Sequence, residues 1–86
     1  MYFVYILECA DHTLYTGITT DVDRRIREHN TEKIGARYTK TRRPVILKYS
    51  EQFPTKSESL KREIEIKSWS REKKLELIKK SGKITP

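Results

Sequence analysis

Cysteine, glycine and proline are all scarce in this chain, and each shortage removes a class of explanation. Cys9 is the only cysteine, so an internal disulfide and a thiolate zinc cluster are both excluded, and a reducing cytoplasm is the expected setting. Three glycines among 86 residues make neither a Walker phosphate loop nor a dinucleotide-binding pattern. Neither of the two histidines sits in an HExxH helix. No apolar run approaches the ~20 residues of a membrane span. The first one, Tyr2 to Leu7, stops at Glu8 and has no basic leader, so neither a signal peptide nor a membrane anchor is expected. Repeats and low-complexity tracts are missing as well.

What the chain has in quantity is charge. Nineteen Lys and Arg stand against twelve Asp and Glu, a net charge of +7 with a pI near 9.7. Such a balance favours a polyanionic partner, and nucleic acid is the first candidate. Charged residues make up 36% and hydrophobic ones 35%, enough aliphatic and aromatic side chains for one small folded domain over residues 1–86 with a thin core.

Tyr2 to Leu7 is apolar on both faces of a strand, which predicts a central strand covered on each side. Its partner is Leu14 to Ile18, joined through Ala10-Asp11-His12-Thr13. The loop length decides which side chains meet. A two-residue loop pairs Tyr5 with Ile18 and turns Tyr5 and Tyr15 to opposite faces; a three-residue loop brings Tyr5, Tyr15 and Gly17 onto one face. Sequence leaves the register open, and a shared site favours the odd loop or a bulge.

The stretch Leu14 to His29 changes from strand to helix. Thr19, Thr20 and Asp21 offer capping oxygens, and the helix is expected from about Asp21 to about Asn30. At 100° per residue Val22 and Ile26 share a stripe with His29 between them and Arg25 at its edge, while Arg24, Arg27 and Glu28 point elsewhere. A cation and an imidazole therefore flank the buried side.

Thr31 to Arg43 reads as an exposed basic loop, with Tyr38 set among Lys33, Arg37, Lys40, Arg42 and Arg43. Such a loop suits phosphates and one stacked base; the alternative is a solvated loop whose tyrosine packs down onto the sheet. Pro44 introduces a third strand, Val45 to about Ser50, with Val45, Leu47 and Tyr49 on one face and Ile46, Lys48 and Ser50 on the other. Pro54-Thr55 opens a second helix, capped by Thr55 or Ser57 and running to about Ser68. On it Leu60, Ile64, Ile66 and Lys67 define an inward arc that contains Glu63, opposite Glu58, Lys61, Arg62 and Glu65. An inward carboxylate must meet a cation, a metal or hydrogen-bond donors. An ordinary salt bridge to Arg25 or a lysine would satisfy it equally. Trp69 reads as a core anchor. Ser70 caps a last helix from Arg71 to about Lys80, with Leu75 and Ile78 inward and Gly82 as its stop.

Phe3-Val4-Tyr5 on one strand, Tyr15-Thr16-Gly17 on the next and a following helix with Arg25 resemble the GIY-YIG nuclease motif, and in size and order the chain is most similar to the small stand-alone bacterial GIY-YIG proteins. Phe3 stands where the first glycine of that motif would be. The resemblance implies an α+β fold: one GIY-YIG-like domain with a three-stranded antiparallel sheet flanked by helices, in the order β-β-α-β-α-α. It also implies a metal-dependent endonuclease acting on DNA, structured or branched DNA included, ahead of RNA, with no membrane partner. In that reading Tyr5 or Tyr15 is the general base, Arg25 clamps the phosphate in a forked geometry, and Glu63 holds Mg²⁺ or Mn²⁺. His29 orients or relays a proton, and Tyr38 falls near a further active-site position. Gly17 gives a phosphate room, and Arg37, Lys40, Arg42 and Arg43 contact the backbone. The competing class is a nucleic-acid-binding module that keeps this fold without turnover; it has little reason to keep an inward acid beside an inward arginine.

Overall fold

The computed structural model describes residues 1–31 and 41–81. In chain order they form β1 (Tyr2–Glu8), β2 (Leu14–Thr19), α1 (Val22–Thr31), β3 (Ile46–Phe53), α2 (Lys56–Lys67) and α3 (Arg71–Ser81). The sheet is antiparallel in the order β2-β1-β3. β1 is its centre, and Val4 to Leu7 are all buried, as expected of a strand apolar on both faces.

Each face has its own core. On one, Val4, Ile6 and Tyr49 pack with Ile66 of α2, joined by Leu14, Ile18, Phe53, Trp69, Leu77 and Ile78. On the other, Tyr5, Leu7, Cys9 and Val45 pack with Tyr15, Leu47 and Ile26 of α1. So α1 covers one face, while α2 and α3 cover the other.

The β1–β2 register pairs Tyr5 with Gly17 and Leu7 with Tyr15. This is the odd-loop arrangement, and Tyr5, Tyr15 and Gly17 share the α1 face. His12 supplies the tight turn with a positive φ of 68°, and the Asp11 carboxylate accepts from the Thr13 amide and hydroxyl.

β3 departs from expectation in two ways. It runs on to Phe53, because β1 offers partners back to Tyr2. It also carries a bulge: Ile6 pairs with Tyr49 but Leu7 with Leu47, leaving Lys48 as the extra residue. Leu47 therefore stays on the face of Val45 while Tyr49 enters the opposite core.

The helices begin at their caps. Asp21 accepts from the Arg24 amide, Thr55 from Glu58 and Ser70 from Lys73. Their inward faces differ from the projection. On α2 the covered residues are Ser59, Arg62, Glu63 and Ile66, while Leu60 and Ile64 are 37% and 67% exposed. On α3, Leu77 and Ile78 pack inward and Leu75 is exposed. A helix with weak amphipathic contrast takes its rotation from the sheet it lands on.

Candidate active site

The odd register puts one tyrosine directly over a glycine. A β-carbon built on Gly17 would lie 2.6 Å from the Tyr5 hydroxyl oxygen and 2.7 Å from Cζ, so only glycine lets the phenol cross β2. At that position the Tyr5 hydroxyl hydrogen-bonds His29 Nε2 at 2.9 Å. The Tyr15 ring meets the same imidazole edge-on, with 5.3 Å between centroids. Arg25, one helical turn before His29, hydrogen-bonds the Tyr5 hydroxyl and pairs with Glu28 at 2.9 Å. Tyr5, Tyr15, Arg25 and His29 are thus one cluster. Glu28 is half-buried within it instead of pointing away. Its spacing of three from Arg25 was the signal for this pair.

Burial governs the protonation of the cluster. It pushes Tyr5 up to about 12 against the pull of Arg25, and the charges of Tyr15 and Glu63 push the same way. A general base is helped by cations that lower its pKa, but here desolvation of a 2% exposed phenol outweighs the guanidinium. Burial likewise lowers His29 to about 4, helped by Arg25 and Arg43 and opposed by Glu28. His29 is a neutral imidazole at physiological pH.

Glu63 turns inward from α2 and is close enough for its charge to act on Tyr5. Its carboxylate is 16% exposed and pairs with Lys67 at 3.3 Å. No group of three or more His, Cys, Asp or Glu suited to a metal stands among the described residues. A divalent ion here would take one protein carboxylate and complete its shell with waters and substrate oxygens, which is the habit of Mg²⁺. The residues fit that ion.

The basic segment is described only in part. Arg37, Tyr38 and Lys40 lie outside the described residues. Arg42 is held by Asp11 at 3.0 Å, and its carbonyl accepts from Ala10. The Arg43 Nε donates to the His29 carbonyl. Asn30, which composition did not single out, bonds the Val45 backbone twice, accepting its N–H at 2.7 Å and donating to its carbonyl at 3.2 Å. These contacts fasten the end of α1 to the start of β3.

The GIY-YIG catalytic domain matches residues 1–76. The chain belongs to the GIY-YIG family. It is similar to a UPF0213 protein of Staphylococcus haemolyticus, 57% identical over 77 residues that cover 90% of this chain and 93% of that one. A UPF0213 protein of Staphylococcus aureus strain N315 is 58% identical over 78 residues, covering 91% and 94%. Among solved structures, the UPF0213 protein BH0048 of Bacillus halodurans is 48% identical with a TM-score of 0.61, covering 100% of this chain and 89% of that one. The protein EF2693 of E. faecalis is 41% identical with a TM-score of 0.63, covering 92% and 83%. These small stand-alone relatives share the GIY-YIG α+β architecture found here. The family implies nuclease-type chemistry on nucleic acid, for which its members typically use a divalent metal. No described helix is long and apolar enough to cross a membrane.

Proposed function

We propose that this GIY-YIG protein is a metal-dependent endonuclease that hydrolyses phosphodiester bonds in DNA. One observation carries the reading: a phenol lying over a glycine is held at once by a neutral imidazole and a guanidinium. Hydrolysis needs an activated water, a clamp on the phosphate and relief for the leaving oxygen. Arg25 binds the scissile phosphate through its fork. Tyr5 takes the proton of the attacking water while its own proton passes to His29 Nε2, which in this tautomer carries its hydrogen on Nδ1. With pKa values near 12 and 4, this transfer is strongly uphill in the free protein. A bound phosphate lessens that cost, because its negative charge offsets the Arg25 and Arg43 cations, the lesser causes beside burial that disfavour the imidazolium. Tyr15, whose ring meets the imidazole edge-on, keeps it oriented. Glu63 would hold Mg²⁺ or Mn²⁺, which supplies charge stabilisation at the departing 3′ oxygen.

The test is a panel of labelled DNA and RNA, duplex, single-stranded and branched, incubated with Mg²⁺, with Mn²⁺ and with chelator. Metal-dependent cleavage of DNA is expected. Glu63→Gln should abolish it with little loss of binding, and its stability should change by less than about 1 kcal/mol because Lys67 is half-exposed. Tyr5→Phe should cost about 10²-fold or more in rate and Tyr15→Phe less. A larger loss in Tyr15→Phe would transfer the base role to Tyr15.

The depth at which Tyr5 is kept as a phenol also favours a second reading, a nucleic-acid-binding module without turnover. Tight binding with no cleavage of any probe in either metal would establish it.

A further inference from the structure

The cations of this protein are unevenly compensated. Arg24, Arg25, Arg42, Lys48, Arg62 and Lys67 all sit in ion pairs. Arg27 of α1 and Lys56 and Lys61 of α2 join no ion pair among the described residues, but the largest such group is on α3, where none of Arg71, Lys73, Lys74, Lys79 and Lys80 does and the helix carries only two acids, Glu72 and Glu76. Beside it lies Trp69, the only tryptophan of the chain. Lys73 Nζ stands 4.5 Å from the centre of its ring, and the Arg62 guanidinium 5.2 Å. Trp69, Lys73, Glu76, Leu77 and Lys80 line a small cleft of about 110 Å³. An aromatic ring next to a line of cations is the combination that binds single strands, since bases stack on the ring and cations follow the phosphates. Lys73 and Lys80 are seven residues apart, about 10 Å along the helix axis.

We infer that Trp69 and α3 form a second nucleic-acid site that takes a single-stranded segment, on the sheet face opposite the Tyr5 cluster. The inference rests on nucleic acid being the partner, as proposed above, but not on turnover. A duplex is too stiff to serve both faces: its persistence length is about 500 Å, and the molecule is only 28 Å across. A single strand is flexible enough to pass around the edge of the sheet. In the complex Lys73 exchanges its contact with the ring for a phosphate and frees the ring for a base. Glu76 at the rim accepts from base N–H groups, such as the N3–H of thymine, and repels phosphates, which keeps the backbone on the Lys73 and Lys80 side.

Trp69 is its own reporter. In chelator, so that nothing is cleaved, an oligothymidylate of about twelve nucleotides should quench tryptophan emission of the full chain, and a blunt duplex of equal length should quench it far less. Lys73→Gln/Lys80→Gln should weaken the oligothymidylate at least tenfold and flatten its log–log salt dependence by about 1.4, near 0.7 for each of two single-strand phosphates. Lys80→Gln alone leaves the ring contact intact and should give about half the change in slope. Lys56→Gln/Lys61→Gln removes the same charge from α2 and should change little. Unquenched emission, equal quenching by the duplex, or equal loss in the α2 variant would each overturn the inference. Cleavage assays with Tyr5→Phe bear on the nuclease reading alone, so the two can fail separately.

Discussion

Gly17 is the residue on which the cluster depends. Its hydrogen leaves the space that the Tyr5 hydroxyl occupies, and Tyr5 cannot yield because its ring is buried and its hydroxyl is bonded to His29. Gly17→Ala should therefore displace the phenol, break the bond to His29 and cost about 1–3 kcal/mol. Thermal melting measures the loss, and an unchanged midpoint would mean that the phenol has room to move. His29 sets a pH dependence of stability. Its pKa of about 4 in the fold lies below the ordinary 6.5, so the unfolded chain binds more protons between these values. The contribution of the neutral imidazole is complete above about pH 6.5 and is lost as pH falls towards 4, by up to an amount on the order of 3 kcal/mol. Melting from pH 7 to pH 4 should fall more steeply for the wild type than for His29→Gln. Parallel curves would contradict the assignment.

Between elements, the joint that matters most to the cluster is the one linking α1 to β3. Asn30 satisfies both backbone groups of Val45, a residue only 4% exposed. Asn30→Ala strands a buried donor and a buried acceptor, with an expected cost of about 2–3 kcal/mol. Asn30→Asp keeps the shorter of the two bonds and should cost less; denaturant melts of both variants compare them. Because His29 is the neighbouring residue and its carbonyl accepts from Arg43, the alanine variant should also loosen the imidazole. α2 is fastened differently. Arg62 reaches Glu51 of β3 at 2.9 Å and Glu65 on its own helix at 2.7 Å, and Tyr49 donates to the same Glu51 at 2.9 Å. This network fixes the rotation that turns Glu63 inward.

For the whole molecule, a net charge of +7 makes affinity for nucleic acid salt-dependent, with a slope of about 0.9 per duplex phosphate neutralised. Removing Arg42 and Arg43 together should flatten that slope by one to two phosphate contacts' worth. Arg43 should supply the larger share, because Asp11 competes with phosphate for Arg42. Titrations of each single variant against a short duplex across salt concentrations separate the two. Equal contributions would show that the Asp11 pair opens freely on binding.

Element order, helix caps and the cluster members on strands and α1 follow from local chemistry. An apolar run, a hydroxyl or carboxylate before a helix, and the 100° step that sets His29 beside Ile26 are all properties of neighbouring residues in the chain. Four things are not. The β1–β2 register was open between two loops, and pairing with β1 chose the one that unites Tyr5, Tyr15 and Gly17. The Lys48 bulge, which sends Leu47 and Tyr49 to opposite cores, exists only because two strands of unequal count must align. The rotation of α2 and α3 came from the sheet beneath them, since Leu60, Ile64 and Leu75 are left exposed while Ser59, Arg62 and Glu63 are covered. The protonation of Tyr5 and His29 was the least legible of all. Composition places both among cations, but burial, which depends on every element packed around them, outweighs those charges and leaves a phenol and a neutral imidazole sharing one hydrogen bond.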